Sequence, residues 1–165
     1  MILLLLPLAV GAVLVLGRGA EALPPTIDLH NTGADLTVYG DHGADYSGWS
    51  VAAGDIDGDT TDDLIIGAER ADPAGGSNAG ETYVIYGGPS LPATIDLDIT
   101  SAGLTVYGDD ADDNSGWSVA AGDIDGATTD DLIIGAERAD PAGGSNAGET
   151  YVIYGGPSLP ATIDL

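Results

Sequence analysis

The chain has 165 residues, with 27 acidic side chains against three arginines and no lysine, for a formal net charge of −24. That excess excludes polyanionic partners, since nucleic acid and anionic membrane would both be repelled, and it suits divalent cations or a salty setting such as that of a halophile. The absence of cysteine excludes disulfides, thiol chemistry and cysteine-based zinc sites, and leaves the redox compartment open.

The length suits one modest domain. With 26 Gly and nine Pro, many Thr, Val, Ile and Tyr, and no long helical periodicity, the chain reads as all-β. It opens on MILLLLPLAVGAVLVL, an apolar run of about fifteen residues, too short for a comfortable bilayer span. GRGAEA follows, in which Ala20-Glu21-Ala22 satisfies the small-x-small cleavage pattern, although a basic leader is missing. Residues 1–22 therefore predict a signal peptide, with an uncleaved N-terminal anchor as the alternative. Either way the expected location is secreted or cell-surface, with no membrane contact unless that segment stays attached. Its removal takes Arg18 and Glu21 together, so the mature chain keeps its charge.

Beyond it the sequence repeats with a period of 68 residues. TIDL recurs at 26, 94 and 162, GWSVAAGD at 48 and 116, and TYVIYGGPSLP at 82 and 150. Residues 26–93 and 94–161 align without gaps and differ at nine positions; from Ser47 onward the single difference is Asp59 against Ala127. The organisation is thus a first unit at 23–93, a second at 94–161, and the start of a truncated third at 162–165. Within one period, Leu36–Tyr39, Trp49–Ala53, Leu64–Ile66 and Tyr83–Tyr86 carry strand signals bounded by turn residues, with no room for a crossover helix. Thr26–Leu29 adds an edge piece. Strands joined this way are expected to be antiparallel, and a four-stranded sheet repeated in tandem is a propeller blade. Two blades are fewer than a closed propeller needs, so the chain is expected to be a fragment of a longer one, or to complete a ring as a homo-oligomer.

Between the second and third strand signals lies GDIDGDTTDDLIIGA, residues 54–68. Asp55, Asp57 and Asp59 stand at loop positions 1, 3 and 5, and Asp63 at position 9. A loop curling round a hard cation such as Ca²⁺ points alternate side chains inward, with the Thr61 carbonyl at position 7 and Asp63 closing the shell. Gly58 permits the tight bend. An EF-hand fails here, because position 12 is Ile66 rather than Glu and position 6 is Thr60 rather than Gly. Nonapeptide calcium repeats fail on the period. A solvated Asp-Gly hairpin turn is the plain alternative.

SGWSVAAGDIDGDTTDDLIIGA followed by TYVIYGG resembles the FG-GAP repeat, the blade unit of the integrin α-subunit propeller. It is similar above all to the tandem copies in bacterial and archaeal secreted or surface proteins. The resemblance covers residues 26–161. It implies Ca²⁺ held by Asp55, Asp57, Asp59, Thr61 and Asp63. In the second copy it implies Asp123, Asp125, Thr129 and Asp131, while Ala127 lacks a ligand and so implies a weaker site. Ser47-Gly48 stands where the family has Phe-Gly, and Gly67-Ala68-Glu69 where it has Gly-Ala-Pro.

Catalysis is not expected. His30 and His42 fall in turns that become aspartate in the second copy, and neither a nucleophile elbow nor a phosphate-loop lysine occurs. Trp49 and Trp117 read as inter-blade packing, and Arg70 and Arg138 as partners of nearby carboxylates. The resemblance implies a calcium-binding propeller segment for adhesion or for protein or glycan recognition. The alternatives are a non-catalytic segment of a larger secreted hydrolase, or a degenerate gene fragment.

Overall fold

The computed structural model describes residues 34–165 apart from Gly75 and Gly143. The predicted signal peptide at 1–22, the first TIDL run at Thr26–Leu29 and His30 lie outside the described residues. Among those described there is no helix. The ten strands are β1 Thr37–Tyr39, β2 Ser50–Gly54, β3 Asp63–Ala68, β4 Glu81–Ile85, β5 Thr94–Asp96, β6 Leu104–Tyr107, β7 Ser115–Gly122, β8 Asp131–Ala136, β9 Glu149–Ile153 and β10 Thr162–Asp164. The predicted strand runs are all present, shifted by a residue or two, and the chain is an incomplete all-β propeller.

β2, β3 and β4 form an antiparallel meander in which Ala52 faces Ile65 and Ile65 faces Val84. β7, β8 and β9 repeat it with Ala120, Ile133 and Val152. The fourth strand of the first sheet is β6, which lies antiparallel to β4 with Val84 opposite Leu104 and Glu81 opposite Tyr107. β10 extends that sheet parallel to β6, and β1 and β5 form a parallel pair of their own.

The expectation of four antiparallel strands within one period is therefore corrected: the first run of each period does not pair with the second. In the second repeat it closes the sheet of the first. Its pattern explains this. Leu104 and Val106 project to one face and are fully buried, while the backbone of the same strand completes the β4 edge. In the first repeat Leu36 and Val38 instead pack with Ile95 and Leu97 over Ile66, Tyr83 and Ile85.

The main core lies between the two meanders. Ile56, Ile65, Val84, Leu104 and Val106 meet Leu132 and Ile134, all with no exposed surface. Each contributes about 1.5–3 kcal/mol by leaving water. Glycines let the backbones approach. A Cβ on Gly67 would sit 2.1 Å from the Gly116 carbonyl oxygen, and Ser50 Oγ donates a 2.7 Å hydrogen bond to that oxygen. A Cβ on Gly135, the repeat mate of Gly67, would come within 3 Å only of the Ser118 hydroxyl.

Gly67→Ala is accordingly expected to destabilise by about 2 kcal/mol or more, and Gly135→Ala by less than about 1 kcal/mol. Urea unfolding of the dilute chain measures both.

Candidate metal centre

The β2–β3 loop is built by its own aspartates. Asp55 accepts the Gly58 amide through Oδ1 at 2.9 Å and the Thr60 amide through Oδ2 at 3.0 Å. Asp57 accepts the Asp59 amide at 3.0 Å, and Asp59 accepts the Thr61 amide at 2.7 Å. These are Asx turns, each carboxylate fixing the backbone two or more residues on. They curl the loop through left-handed φ values of 81° at Gly58 and 73° at Thr60. A β-branched residue adopts that region at a cost.

The curl brings Asp55, Asp57 and Asp59 together, with ligand oxygens within 4.8 Å of one another. Asp63 is placed differently. It is buried, its Oδ2 accepts the amides of Ile56 at 2.9 Å and Asp57 at 3.3 Å, and its Oδ1 accepts the Gly87 amide at 2.8 Å. It ties the ladder to the end of β4. Thr61 is held through its amide on the exposed side of the loop.

The second loop repeats this geometry. Asp123 accepts Gly126 and Thr128 amides, and Asp125 accepts the Ala127 amide. Asp131 accepts Ile124, Asp125 and Gly155 amides. Here the converging set is Asp123, Asp125 and Asp131, with Ala127 offering no side-chain oxygen. Thr129 is half-buried and lies against the first loop, its Oγ1 3.2 Å from where a Gly58 Cβ would be. Burial pushes the Asp63 carboxyl up despite its three amides. At Asp131 burial works in the same direction, but the Gly155, Ile124 and Asp125 amides prevail and hold it low.

Sequence reasoning missed the docking of the first loop. The Asp130 amide donates to the Asp55 carbonyl at 2.9 Å, the Asp55 amide to Asp130 Oδ2 at 3.2 Å, and the Gly156 amide to the Ile56 carbonyl at 2.8 Å. No signal could have singled out Asp130, whose repeat mate Asp62 is exposed. A second missed cluster is Asp41, His42 and Asp45 beside Asp72 and Glu81. Asp41 and Asp45 sit four residues apart in the loop before β2, a spacing that could have marked it.

His42 is exposed, as expected, and its Nδ1 is 3.2 Å from Asp41. That hydrogen bond raises its pKa, and burial raises those of Asp45 and Glu81. Trp49 and Trp117 meet across the blades with centroids 5.1 Å apart. Arg70 and Arg138 each approach the preceding glutamate, at 3.4 and 3.5 Å, and Arg70 also caps the Tyr46 ring.

Tandem antiparallel meanders, each carrying an aspartate ladder between its first two strands, define a protein of propeller-blade repeats. The FG-GAP repeat family matches residues 47–85 and 115–153, the two meanders, so the chain carries two FG-GAP repeats. It is similar to human phosphatidylinositol-glycan-specific phospholipase D, 35% identical over 89 residues, 54% of this chain and 10% of that protein. The Dictyostelium discoideum protein of the same name is 27% identical over 144 residues, 81% of this chain and 15% of that protein. Integrin alpha-PS2 of Drosophila melanogaster is 35% identical over 118 residues, covering 68% and 7%. The chain thus spans a small fraction of the length of these relatives.

Two outcomes follow. Asp63→Asn puts an amide donor against backbone N–H groups and is expected to cost about 2–3 kcal/mol in chelator, while Asp59→Ala changes metal-free stability by under about 0.5 kcal/mol. Paired urea titrations in chelator measure the difference. The second concerns protons. Asp45 and Glu81 hold protons more tightly folded than unfolded, so their stabilisation is complete below the ordinary carboxylate pKa and is lost as pH rises through the raised value. His42 acts in the same sense at higher pH. The thermal midpoint of the metal-free chain is therefore expected to rise from about pH 8 to about pH 5; a midpoint that falls over this interval would refute it.

Proposed function

We propose that this chain is a non-catalytic, calcium-clamped propeller segment of a secreted or cell-surface protein, serving adhesion or the recognition of protein or glycan. The observation that carries the cation is the convergence of Asp55, Asp57 and Asp59 on one loop. Three carboxylates at that separation, with no lysine in the chain to offset them, repel one another, and hard oxygen donors of this kind suit Ca²⁺. Asp63 and the Thr61 carbonyl belong to the same reading, with Asp63 first orienting the loop through its amides. Asp123, Asp125, Thr129 and Asp131 form the corresponding weaker set. When bound, the cation supplies charge neutralisation, and the residues themselves hold the loop against the second blade. Similarity to Integrin alpha-PS2 supports adhesion, and the apolar segment at 1–22 supports export.

A second reading is favoured by the phospholipase D relatives: a propeller segment accompanying a catalytic domain of a larger hydrolase. Either reading keeps the cation structural.

Calorimetric titration of the chelator-stripped full chain with Ca²⁺ tests the clamp. One tighter and one weaker site are expected, and Asp59→Ala should weaken the tighter one by about tenfold or more, the equivalent of about 1.4 kcal/mol. Absence of binding by a sample shown to be folded by circular dichroism would end the calcium reading.

A further inference from the structure

The two repeats are nearly identical in sequence but unequally buried. Ile56 has no exposed surface, whereas its mate Ile124 is 58% exposed; Val84 has none, whereas Val152 is 43% exposed. At the other end of the array the bias reverses. Val51 is 64% exposed, beside an apolar hollow lined by Leu36, Val38, Leu64 and Ile66. Among the described residues β9 pairs only with β8, and β1 only with β5. The described residues thus present two unlike surfaces, one formed by the outer face of β7–β9 and one by β1, β2 and the outer face of β3.

These surfaces are the two halves of a contact already made inside the molecule. β9 is ETYVI, as is β4; the run before and through β1 is LTVY, as is β6. β4 and β6 pair with Val84 opposite Leu104 and Glu81 opposite Tyr107, and the Gly108 amide donates to the Gly80 carbonyl at 2.8 Å. Ile56 is buried between the two blades, and its carbonyl accepts the Gly156 amide at 2.8 Å.

We propose that copies of this chain associate head to tail, β9 of one copy taking β1 of the next as β4 takes β6. The register would set Val152 opposite Leu36 of the next copy and Glu149 opposite its Tyr39. Ile124, Val152 and Ile133 would enter the hollow around Val51, Leu64 and Ile66. Gly135 would then face the Gly48 carbonyl of the next copy, as Gly67 faces that of Gly116. Such a contact is heterologous: it closes into a ring if the rotation allows, and otherwise grows. A ring of four to eight blades takes about two to four copies. The proposal rests on strand and core complementarity and does not depend on a bound cation.

The test is sedimentation of the full chain over a wide dilution series in about 1 M salt, where the Debye length is about 3 Å and the acidic copies no longer repel. Concentration-dependent assembly is expected for the native sequence. Val152→Asp and Val51→Asp, both at exposed positions, should each remain folded by circular dichroism and monomeric. Their mixture should form dimers and nothing larger, because each variant keeps the surface that the other lacks. Gly135→Ala should lose assembly while keeping its fold. A native chain that stays monomeric throughout would overturn the proposal. So would assembly that the single variants do not stop, or variants that fail to complement.

Discussion

The antiparallel pairing of β4 with β6 is what makes two sequence repeats into one molecule. It satisfies the outer backbone edge of the first sheet and, through the same four residues, delivers Leu104 and Val106 into the core between the blades. A sheet of three short strands has two apolar faces and open edges, and its own repeat covers one face at most, as Leu36 and Val38 do over Ile66 and Tyr83. The close approaches at Gly67, Gly80 and Gly108, and the docking of Asp55 and Ile56 against Asp130 and Gly156, follow from where that strand puts the second blade. The candidate metal centre depends on the same contact, since the loop that gathers Asp55, Asp57 and Asp59 is held on one side by the neighbouring blade.

Charge is handled by the backbone rather than by cationic side chains. Arg138 lies beside Glu137 at the surface, where such a pair is worth little, and Arg70 is itself half exposed beside the buried Glu69. Asp63 and Asp131 instead each take three amides, and the ladder aspartates take the amides of their own turns. Neutral dipoles held within hydrogen-bond distance are less sensitive to ionic strength than long-range ion pairs. An acidic chain with almost no counter-charge can therefore still be locally well bonded.

The strands were legible because alternating runs such as Leu36–Tyr39 and Tyr83–Tyr86 are short and closed by Gly or Pro. Their partners were not. LTVY is the same word in both repeats, and nothing local says whether it pairs with its own repeat or the preceding one; that depends on the core that Leu104 and Val106 find. At the candidate site, odd-numbered spacing marked Asp55, Asp57 and Asp59, and the structure brings these together. It could not show that Asp63 bonds the Gly87 amide, because that contact forms only once β4 returns alongside β3. Nor could two identical Asp131 and Asp63 contexts reveal that one is raised and the other lowered, a difference set by what covers each loop.

The unequal burial of near-identical repeats has an evolutionary side. A change at Ile56 opens the core between the blades, while the same change at Ile124 meets mostly water unless another surface covers it. Selection therefore sees two different residues where a sequence profile sees one, and copies within such an array are free to diverge at different rates. The one difference between the repeats after Ser47, Asp59 against Ala127, falls in the aspartate loop, at a position exposed in both copies. A substitution scale averaged over repeats would understate the constraint on the covered copy and overstate it on the open one.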